Sequence, residues 1–263
     1  MDQADVLLHH RTYGSSGPPL IILHGLFGAL DNWHSLAQRW AQDFQIFALD
    51  QRNHGKSPHT SSMSYPEMAQ DVRHWMDVHQ LERAFVIGHS MGGKTAMSLA
   101  QLEPERLMGL LVADIAPRAY PAGHDFILST LRDFPIDDIG SRKEAEQWMA
   151  ERIQDPGIRL FLLKNLARKS DGGYVWKMNL PVIERDYKQI IDKIPFQKTL
   201  YTPTLVAYGA RSGYVEQQDK PVIRRYFPRA QFLAFPDTGH WLHAEQPDLF
   251  YQTALDFFKP LAS

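Results

Sequence analysis

Short apolar runs alternate along most of the 263-residue chain with stretches in which apolar residues recur every three or four positions. A short apolar run between turn-forming residues is typical of a strand buried on both faces of a parallel sheet. The strand-like runs are 20–23, 45–49, 84–87, 107–113, 203–208 and 230–235, and helical stretches lie near 33–40, 64–78, 91–102, 216–226 and 246–258. This alternation predicts a doubly wound, mostly parallel α/β sheet of about eight strands.

The alternation stops between residues 117 and 198. This stretch contains amphipathic helical patterns at 142–154 and 158–168 and several prolines, but no short apolar strand followed by a helix. We therefore predict a helical cap over 117–198, inserted after the sixth strand. The core on either side of the cap would consist of residues 1–116 and 199–263.

The N-terminal segment predicts an edge hairpin and no targeting signal. Residues 5–13 alternate weakly between apolar and polar positions and end at a cluster of turn-forming residues at 14–19. The segment lacks a basic region followed by an apolar one, and no apolar run in the chain approaches the length of a membrane span. We therefore expect a cytoplasmic protein without a membrane span.

Composition and charge narrow the possible partners. The chain is 44% hydrophobic and 22% charged, which is typical of a globular protein with a sizeable core. A formal net charge of −2 provides no electrostatic surface for nucleic acid or an acidic membrane. The absence of cysteine excludes disulfides, thiolate metal sites and a cysteine nucleophile. A small molecule is therefore the expected partner.

The sequence GHSMG at 88–92 lies between a strand-like run and a helical stretch. G-x-S-x-G in that context predicts a nucleophile elbow, in which Ser90 sits on a sharp turn from strand to helix. Gly88 and Gly92 would allow strand and helix to approach closely, and the helix N-terminus near Ser90 favours negative charge. A glycine-rich turn with an incidental serine is the alternative, and the flanking pattern argues against it.

A serine nucleophile needs a base. The candidate is His240, because it follows the last predicted strand and the carboxyl ends of parallel strands meet at one edge of the sheet. Gly239 would let the loop bend toward the elbow. His243 is a weaker candidate, and we expect His89, inside the elbow, to point away from the pocket.

The base in turn needs an orienting acid. Ser212 occupies the usual position of that acid, in the loop after the next-to-last predicted strand. Because a hydroxyl carries no charge to stabilise an imidazolium, we assign the acid to Asp114, which follows an apolar run and should lie beside Ser90. Ser212 then serves as an auxiliary hydrogen-bond partner, although Asp114 could instead cap a helix or shape a loop. The remaining candidates for the acid are Asp237, Glu216 and Asp219.

Acyl transfer also requires donors for an oxyanion. The sequence HGLFG at 24–28 follows the first buried strand, and its glycines permit a tight turn. The backbone N–H of Leu26 is the candidate for one donor. The N–H of Met91, directly after the nucleophile, is the candidate for the other.

These motifs together resemble those of α/β-hydrolases of the esterase type, in particular the YbfF-like esterases, over the whole chain. The resemblance is carried by HGLFG at 24–28, DQRNHGKSP at 50–58, GHSMGG at 88–93, DIAP at 114–117 and GHW at 239–241. The RNHG sequence is the most discriminating, since most hydrolases of this fold have RGHG there. The resemblance supports Asp114 and Ser212 as acid and auxiliary residue. It implies carboxylesterase activity on short acyl esters, with acyl-CoA thioesters as further substrates. Arg52 and His54 are expected to brace the loop through buried hydrogen bonds.

The resulting hypothesis is acyl transfer through an acyl-enzyme on Ser90, with no cofactor and no metal. A carbon–carbon hydrolase or lyase on the same fold is one alternative, because it could use the same serine and histidine. A non-catalytic ligand-binding homologue is another. Dehalogenases and epoxide hydrolases of this fold use an aspartate nucleophile, which Ser90 argues against.

The cap is expected to set substrate specificity. Phe27, His124 and Trp241 are candidates for the wall of an apolar substrate pocket. Further cap aromatics that could line it are Phe126, Trp148 and Trp176. Aromatic residues at helical spacing also serve as ordinary packing residues, which is the alternative for each of them.

Overall fold

A seven-stranded sheet forms the centre of the core in this computed structural model, which describes residues 6–170 and 172–262. The described residues form nine strands, which are β1 (His10–Tyr13), β2 (Pro19–Leu23), β3 (Gln45–Leu49), β4 (Ala84–His89), β5 (Leu107–Ala113), β6 (Leu166–Arg168), β7 (Tyr174–Trp176), β8 (Thr204–Gly209) and β9 (Ala230–Phe235). All but β6 and β7 belong to this main sheet. The main sheet has the order β1-β3-β2-β4-β5-β8-β9, and within it only β1 runs antiparallel to its neighbour. The mostly parallel sheet predicted from the alternating pattern is confirmed.

Helices cover both faces of this sheet, and further helices lie in the segment inserted between β5 and β8. Together these helices are α1 (His34–Trp40), α2 (Tyr65–Val78), α3 (Met91–Leu102), α4 (Asp125–Arg132), α5 (Arg142–Ala150), α6 (Pro156–Leu163), α7 (Leu180–Ile191), α8 (Asp219–Tyr226), α9 (Leu242–Glu245) and α10 (Pro247–Phe258). Alternate side chains of β2 enter different cores: Leu20 and Ile22 pack with residues of α1 and α10, whereas Ile21 and Leu23 pack with residues of α2 and α3. Burial on both faces explains why the central strands are continuous apolar runs.

The predicted edge hairpin is wrong. β1 pairs with β3, so the chain crosses β3 before it enters β2. Gly14 and Gly17 allow this crossing, since both have positive φ angles, of 74° and 90°. A Cβ atom on either would lie 2.8 or 2.5 Å from a backbone oxygen of the α1–β3 turn. The main sheet therefore has seven strands among the described residues, one fewer than the approximate number expected. Residue 5 of the predicted hairpin lies outside the described residues.

The chain between β5 and β8 contains α4 to α7 and a small antiparallel hairpin of β6 and β7. A purely helical cap was expected, so the hairpin is a correction. The helical pattern at 158–168 gave a wrong prediction because α6 ends at Leu163. The last apolar positions of that pattern belong to β6. The hairpin turn is made possible by Gly172 and Gly173, which have positive φ angles of 97° and 74°.

Lys94 joins this inserted segment to the core. Its side chain, on α3, is buried beneath the segment. The ammonium group donates to the carbonyl oxygen of Arg118 at 2.9 Å and to that of Asp192 at 2.5 Å. Arg118 lies where the chain enters the segment, and Asp192 lies directly after α7. One side chain thus ties both ends of the insertion to the helix that follows the elbow.

The topology brings the predicted site residues to one edge of the sheet. β4, β5 and β9 are parallel within the sheet, and each is followed at its carboxyl end by a loop that holds a candidate residue. Ser90 and Asp114 come directly after β4 and β5, and His240 follows β9. Among the described residues, the helices are all too short or too polar to span a lipid bilayer.

Candidate active site

Ser90 occupies a strained turn between β4 and α3. Its backbone has φ 52° and ψ −118°, a conformation that an L-residue rarely adopts. The turn is closed by glycines, because a Cβ atom on Gly88 would lie 2.2 Å from the carbonyl oxygen of Gly92. A Cβ atom on Gly92 would lie 2.3 Å from the carbonyl oxygen of Leu23. This is the backbone geometry expected of a nucleophile elbow.

Asp114 is fully buried and accepts hydrogen bonds at both carboxylate oxygens. Oδ1 accepts the backbone N–H of Gly209 at 3.0 Å. Oδ2 accepts the hydroxyl of Ser212 at 2.5 Å and lies 2.7 Å from Nδ1 of His240. Such donors stabilise a buried carboxylate in its charged form. The predicted acid, base and auxiliary serine are therefore brought together.

The other candidates for the acid lie elsewhere. Asp237 is exposed, and it is its backbone carbonyl that accepts a hydrogen bond from Arg211. Asp219 is buried, with its carboxylate 3.0 Å from the guanidinium of Arg118. Glu216 accepts from the side chain of Gln218 at 2.6 Å. The carboxylate against the imidazole is that of Asp114.

The imidazole of His240 has one tautomer that fits its surroundings. The carboxylate beside Nδ1 accepts the Nδ1–H, which leaves the lone pair on Nε2. Tyr214 stacks on the ring at 3.9 Å between centroids with an angle of 21° between planes. The ring of His240 is therefore held from two sides, by Asp114 at Nδ1 and by Tyr214 on its face.

The other two histidines considered in the sequence have different environments. His89 lines the larger cavity, so the expectation that it points away from the pocket is wrong. Its Nε2 lies 2.9 Å from the carbonyl oxygen of His240. Burial lowers the pKa of His89, so its neutral ring supports the loop that carries the base. His243 is buried against Trp33, with ring centroids 4.3 Å apart.

The loop at 24–28 lies against the elbow. A Cβ atom on Gly25 would lie 3.3 Å from Cβ of Ser90 and 2.9 Å from Nδ1 of His89, so the loop can approach this closely only with glycine. Leu26 and Met91, whose N–H groups are the candidate oxyanion donors, both line the smaller cavity together with Ser90.

Two buried histidines hold that loop in place. Nε2 of His24 accepts the backbone N–H of Gln51 at 3.0 Å, so its Nδ1–H donates to the carbonyl of Gly25 at 2.8 Å. Nε2 of His54 accepts the N–H of Phe27 at 3.3 Å, and its Nδ1–H donates to the carbonyl of Arg52 at 3.0 Å. Burial lowers the pKa of His24 to about 4 and that of His54 to about 3. Both rings are neutral braces, as expected for His54.

Arg52 braces the neighbouring loop through two parallel hydrogen bonds. Its Nε donates to one carboxylate oxygen of Asp71 at 2.6 Å and its Nη2 donates to the other at 2.8 Å. Both side chains are buried, and the carboxylate of Glu67 lies 3.1 Å from the same guanidinium. The expected structural role of Arg52 agrees with these contacts.

Ser90 lies where two cavities meet. A smaller cavity of about 360 Å³ and a larger one of about 780 Å³ share the side chains of Leu26, Ser90, His124 and Tyr214 in their walls. The smaller cavity is bounded mainly by apolar groups between core and cap: Met91, Ile115, Tyr120, Ile190 and Ile191. The larger cavity is bounded by His240 and by residues of the cap.

The predicted pocket residues are partly found in these walls. Phe27 and Trp241 line the larger cavity, and His124 lines both. The further cap aromatics are elsewhere: Trp148 and Trp176 each pack against Phe134 within the cap, and Phe126 is 59% exposed. For Trp148 and Trp176 the packing alternative is therefore the one that the structure supports.

Sequence reasoning missed two tyrosines of the site. Tyr214 stacks on the base, and the hydroxyl of Tyr187 contacts the ring of His124 at 2.7 Å. Tyr187 lies within α7, away from any glycine motif or sheet-strand end that would have marked it. A signal exists only for Tyr214, which lies two residues after the displaced acid position Ser212.

An elbow serine, an aspartate paired with histidine and a parallel sheet define an α/β-hydrolase. The family model described as alpha/beta hydrolase fold matches residues 18–136, and the chain belongs to this family. It is 38% identical over 233 residues to Esterase YbfF of Escherichia coli strain K12, covering 88% of this chain and 89% of that protein. The predicted likeness to YbfF-like esterases is confirmed, and the chain is a serine hydrolase of the esterase type.

Two further comparisons extend this result. The chain is 36% identical over 250 residues to the sn-1-specific diacylglycerol lipase ABHD11 of Danio rerio, covering 92% of this chain and 78% of that protein. The solved structure of a marine microorganism esterase has a TM-score of 0.94 and 42% identity, covering 96% of this chain and 99% of that one. The chain is thus similar over most of its length to an esterase and to a diacylglycerol lipase.

Proposed function

We propose that this protein is a serine carboxylesterase that hydrolyses carboxylic esters through an acyl-enzyme on Ser90. The observation that carries the proposal is the hydrogen bond between buried Asp114 and Nδ1 of His240, at the edge of the cavity that also contains the elbow serine. A buried carboxylate on Nδ1 makes Nε2 a base and stabilises the imidazolium that forms when it accepts a proton.

In the acylation step, Oγ of Ser90 attacks the ester carbonyl while its proton passes to Nε2 of His240. The carbonyl oxygen becomes an oxyanion that accepts hydrogen bonds from the N–H groups of Leu26 and Met91. The tetrahedral intermediate then collapses as the bond to the alcohol oxygen breaks. The imidazolium returns its proton to that oxygen, and the alcohol leaves.

Deacylation repeats the sequence with water. His240 removes a proton from a water molecule that attacks the acyl-enzyme, and the same two N–H groups hold the second oxyanion. Collapse returns the proton to Oγ of Ser90 and releases the carboxylic acid. Every proton in the cycle passes through one ring nitrogen, and the chain supplies all the groups involved.

The two cavities suggest which part of the ester each one holds. The alcohol oxygen must be within reach of His240, which lines the larger cavity. Of the two residues whose N–H groups hold the carbonyl oxygen, Met91 lines only the smaller cavity, whereas Leu26 lines both. We therefore assign the acyl chain to the smaller cavity and the alcohol to the larger one.

Substrates of this type agree with the relatives. The relatives that span most of this chain carry the names esterase and diacylglycerol lipase, both of which describe the cleavage of carboxylic esters. Thioesters such as acyl-CoA undergo the same chemistry, with a thiol in place of the alcohol, and belong in the same substrate panel.

Kinetics of Ser90→Ala on p-nitrophenyl butyrate test the proposal. The variant lacks the nucleophile, so we expect kcat to fall by a factor of about 10⁴ or more, with a circular dichroism spectrum like that of the wild type. A fluorophosphonate probe should label the wild type and not the variant. Retained turnover in the variant would reject the acyl-enzyme, and a wild type inert toward a panel of esters and thioesters would reject the activity.

A further inference from the structure

His124 contacts the site from the cap and has no part in the proton transfers described above. It precedes α4, and its side chain lines both cavities beside Ser90. Its ring packs against Phe27 with centroids 6.0 Å apart. A polar ring at the junction of the acyl and alcohol cavities is placed to contact the substrate on either side of the scissile bond.

The hydroxyl of Tyr187 determines which nitrogen of His124 carries the proton. Its oxygen accepts the backbone N–H of Gly123 at 3.2 Å and that of His124 at 3.1 Å. A hydroxyl has two lone pairs and one hydrogen, so both lone pairs are occupied. The hydrogen must therefore point to Nδ1 of His124, 2.7 Å away. Nδ1 is an acceptor, and the proton of the neutral ring is on Nε2.

The proton on Nε2 is directed away from Tyr187. Within the part of the chain that the structure describes, this nitrogen makes no hydrogen bond. Burial lowers the pKa of His124, and the nearby His240 lowers it further, which keeps the ring neutral. The cap thus contains one N–H donor with a fixed tautomer, on a residue that lines both cavities.

We propose that Nε2–H of His124 donates a hydrogen bond to an oxygen on the alcohol part of the ester, beyond the scissile bond. The inference rests on the proposed function, which assigns the alcohol to the larger cavity because His240 must reach its oxygen. A hydroxyl or ether oxygen close to the ester would then satisfy the donor. An alkyl group there would leave it unpaired, which selects against simple alkyl esters.

Two esters of nearly the same shape measure this preference. 2-Hydroxyethyl butyrate and propyl butyrate have the same acyl group and differ by a hydroxyl in place of a methyl group. The readout is the ratio of their kcat/KM values, hydroxyethyl over propyl. Loss of one hydrogen bond to a neutral oxygen corresponds to about a five- to tenfold change in that ratio. We expect the wild type to favour the hydroxyethyl ester.

Three variants separate donation from packing. His124→Phe keeps a planar ring without a donor, so we expect the ratio to fall by about five- to tenfold. His124→Gln retains an N–H donor and should recover part of the ratio. Tyr187→Phe removes the hydroxyl that fixes the tautomer, and its ratio should lie between those of the wild type and His124→Phe. It also tests the idea independently if position 124 proves intolerant of substitution.

Phe161→Leu is the matched control, because Phe161 lines the same larger cavity without a polar atom. It should change the rates on both esters by the same factor. The inference is overturned if His124→Phe also lowers both rates equally, since the ring would then act only by packing. If the wild type hydrolyses neither ester, the proposed function fails. Hydrolysis of both with a ratio that His124→Phe and Tyr187→Phe leave unchanged contradicts the inference alone.

Discussion

At the scale of single residues, the site depends on a carboxylate at an unusual position in the chain. Asp114 follows β5, and Ser212 stands where the acid of this fold ordinarily lies. Asp114 and Ser212 meet because β5 and β8 are neighbours in the sheet, so the loops that follow them lie side by side. The hydroxyl of Ser212 donates to the carboxylate of Asp114. The proposed acid thus lies one strand away from the ordinary position, and the residue at that position donates a hydrogen bond to it.

Substitution of this acid should separate charge from structure. Asp114 has a φ of 51°, which asparagine also tolerates, so Asp114→Asn should fold normally. Loss of the charge and of the correct imidazole tautomer should lower kcat on p-nitrophenyl butyrate by about 10³–10⁴-fold. Ser212→Ala removes only one donor to the carboxylate, and we expect about a tenfold decrease.

Asp237→Asn provides the control for that measurement. Asp237 also has a positive φ, of 53°, but it is exposed. Its substitution should leave kcat unchanged. If Asp237→Asn instead reduced kcat as strongly as Asp114→Asn, the assignment of the acid would be wrong.

The location of residues that follow strands could be predicted from the sequence, because a residue after a parallel strand lies at the carboxyl edge of the sheet. Asp114 directly follows an apolar run and Ser90 follows one after Gly88 and His89, and a parallel sheet brings such positions together. The contacts of Tyr187 and Tyr214 could not be predicted, since both tyrosines depend on how the inserted cap and a long loop fold over the sheet. No local spacing encodes that packing.

At the scale of elements, the cap is fixed to the core by a few buried polar contacts. Lys94 ties both of its ends to α3, and the side-chain N–H of Asn165 donates to the carbonyl of Phe27 at 2.6 Å. Asn179, directly before α7, donates its backbone N–H to the carbonyl of Asn53 at 2.9 Å. Two of the residues in these contacts also line the cavities, Lys94 the smaller one and Phe27 the larger one.

Asn53 explains the distinctive RNHG sequence. Its φ is 63°, a left-handed conformation that glycine and asparagine adopt most readily. Unlike glycine, asparagine also supplies an amide, whose oxygen accepts from the side chain of Asn179 at 3.0 Å. The residue therefore forms the turn and anchors the start of α7 at the same time.

Replacing Lys94 should loosen the connection between cap and core. Lys94→Met keeps the length and apolar stem of the side chain but leaves the carbonyls of Arg118 and Asp192 without their donor. We expect a decrease of about 1–3 kcal/mol in the free energy of unfolding, measured by urea denaturation. KM for esters should rise as well, since Lys94 borders the smaller cavity.

Gln101→Met on the same helix is the matched control. Its side chain also contacts the inserted segment, donating to the carbonyl of Pro195 at 3.2 Å and accepting the N–H of Gln197 at 2.8 Å, but these hydrogen bonds are exposed to solvent. We expect a change in the free energy of unfolding of no more than about 0.5 kcal/mol. Equal effects of the two substitutions would show that burial of the ammonium group has no special importance.

The sequence predicts an insertion at this place in the chain, but the internal structure of the insertion could not be predicted. The change of pattern after Asp114 marks an insertion regardless of how the insertion folds. The β6–β7 hairpin was missed because each of its strands has three residues, too few for an alternating pattern to differ from the end of a helix.

At the scale of the whole molecule, several histidines are buried and neutral. His24, His54 and His243 are buried, and burial lowers their pKa values to about 4, about 3 and about 3. The unfolded chain binds protons at these residues below about pH 6.5, whereas the folded chain does not until the pH is much lower. Stability should therefore be full above about pH 6.5 and fall as the pH decreases toward 4.

His243→Phe tests this source of acid sensitivity. His243 stacks on Trp33, and its buried Nδ1 has no partner within the described residues, so phenylalanine can replace it without loss of a hydrogen bond there. From pH 6.5 to 4.5 the wild type should lose about 2–3 kcal/mol through this residue. Urea denaturation across that range should show a smaller loss for the variant. An identical loss would contradict the prediction.

The sheet itself is the part of the molecule that the sequence predicts best. Burial on both faces forces the central strands to be continuous apolar runs, and turns separate them clearly. The edge is less predictable, because β1 is only partly buried and its partner is chosen by the path of the chain at Gly14 and Gly17. The fold class could therefore be predicted from the buried central strands. The wrong prediction of an edge hairpin concerned β1, at the edge of the sheet.

The most direct test of the central claim is to identify the covalent intermediate. The wild type is mixed with p-nitrophenyl butyrate, quenched in acid during the first turnovers, and analysed by intact mass and peptide mapping. We predict a burst of p-nitrophenol close to one equivalent per enzyme and a single butyryl group on Ser90, because a good leaving group makes deacylation the slow step. A butyryl group on another residue, or continued turnover without any acylated protein, would contradict the account.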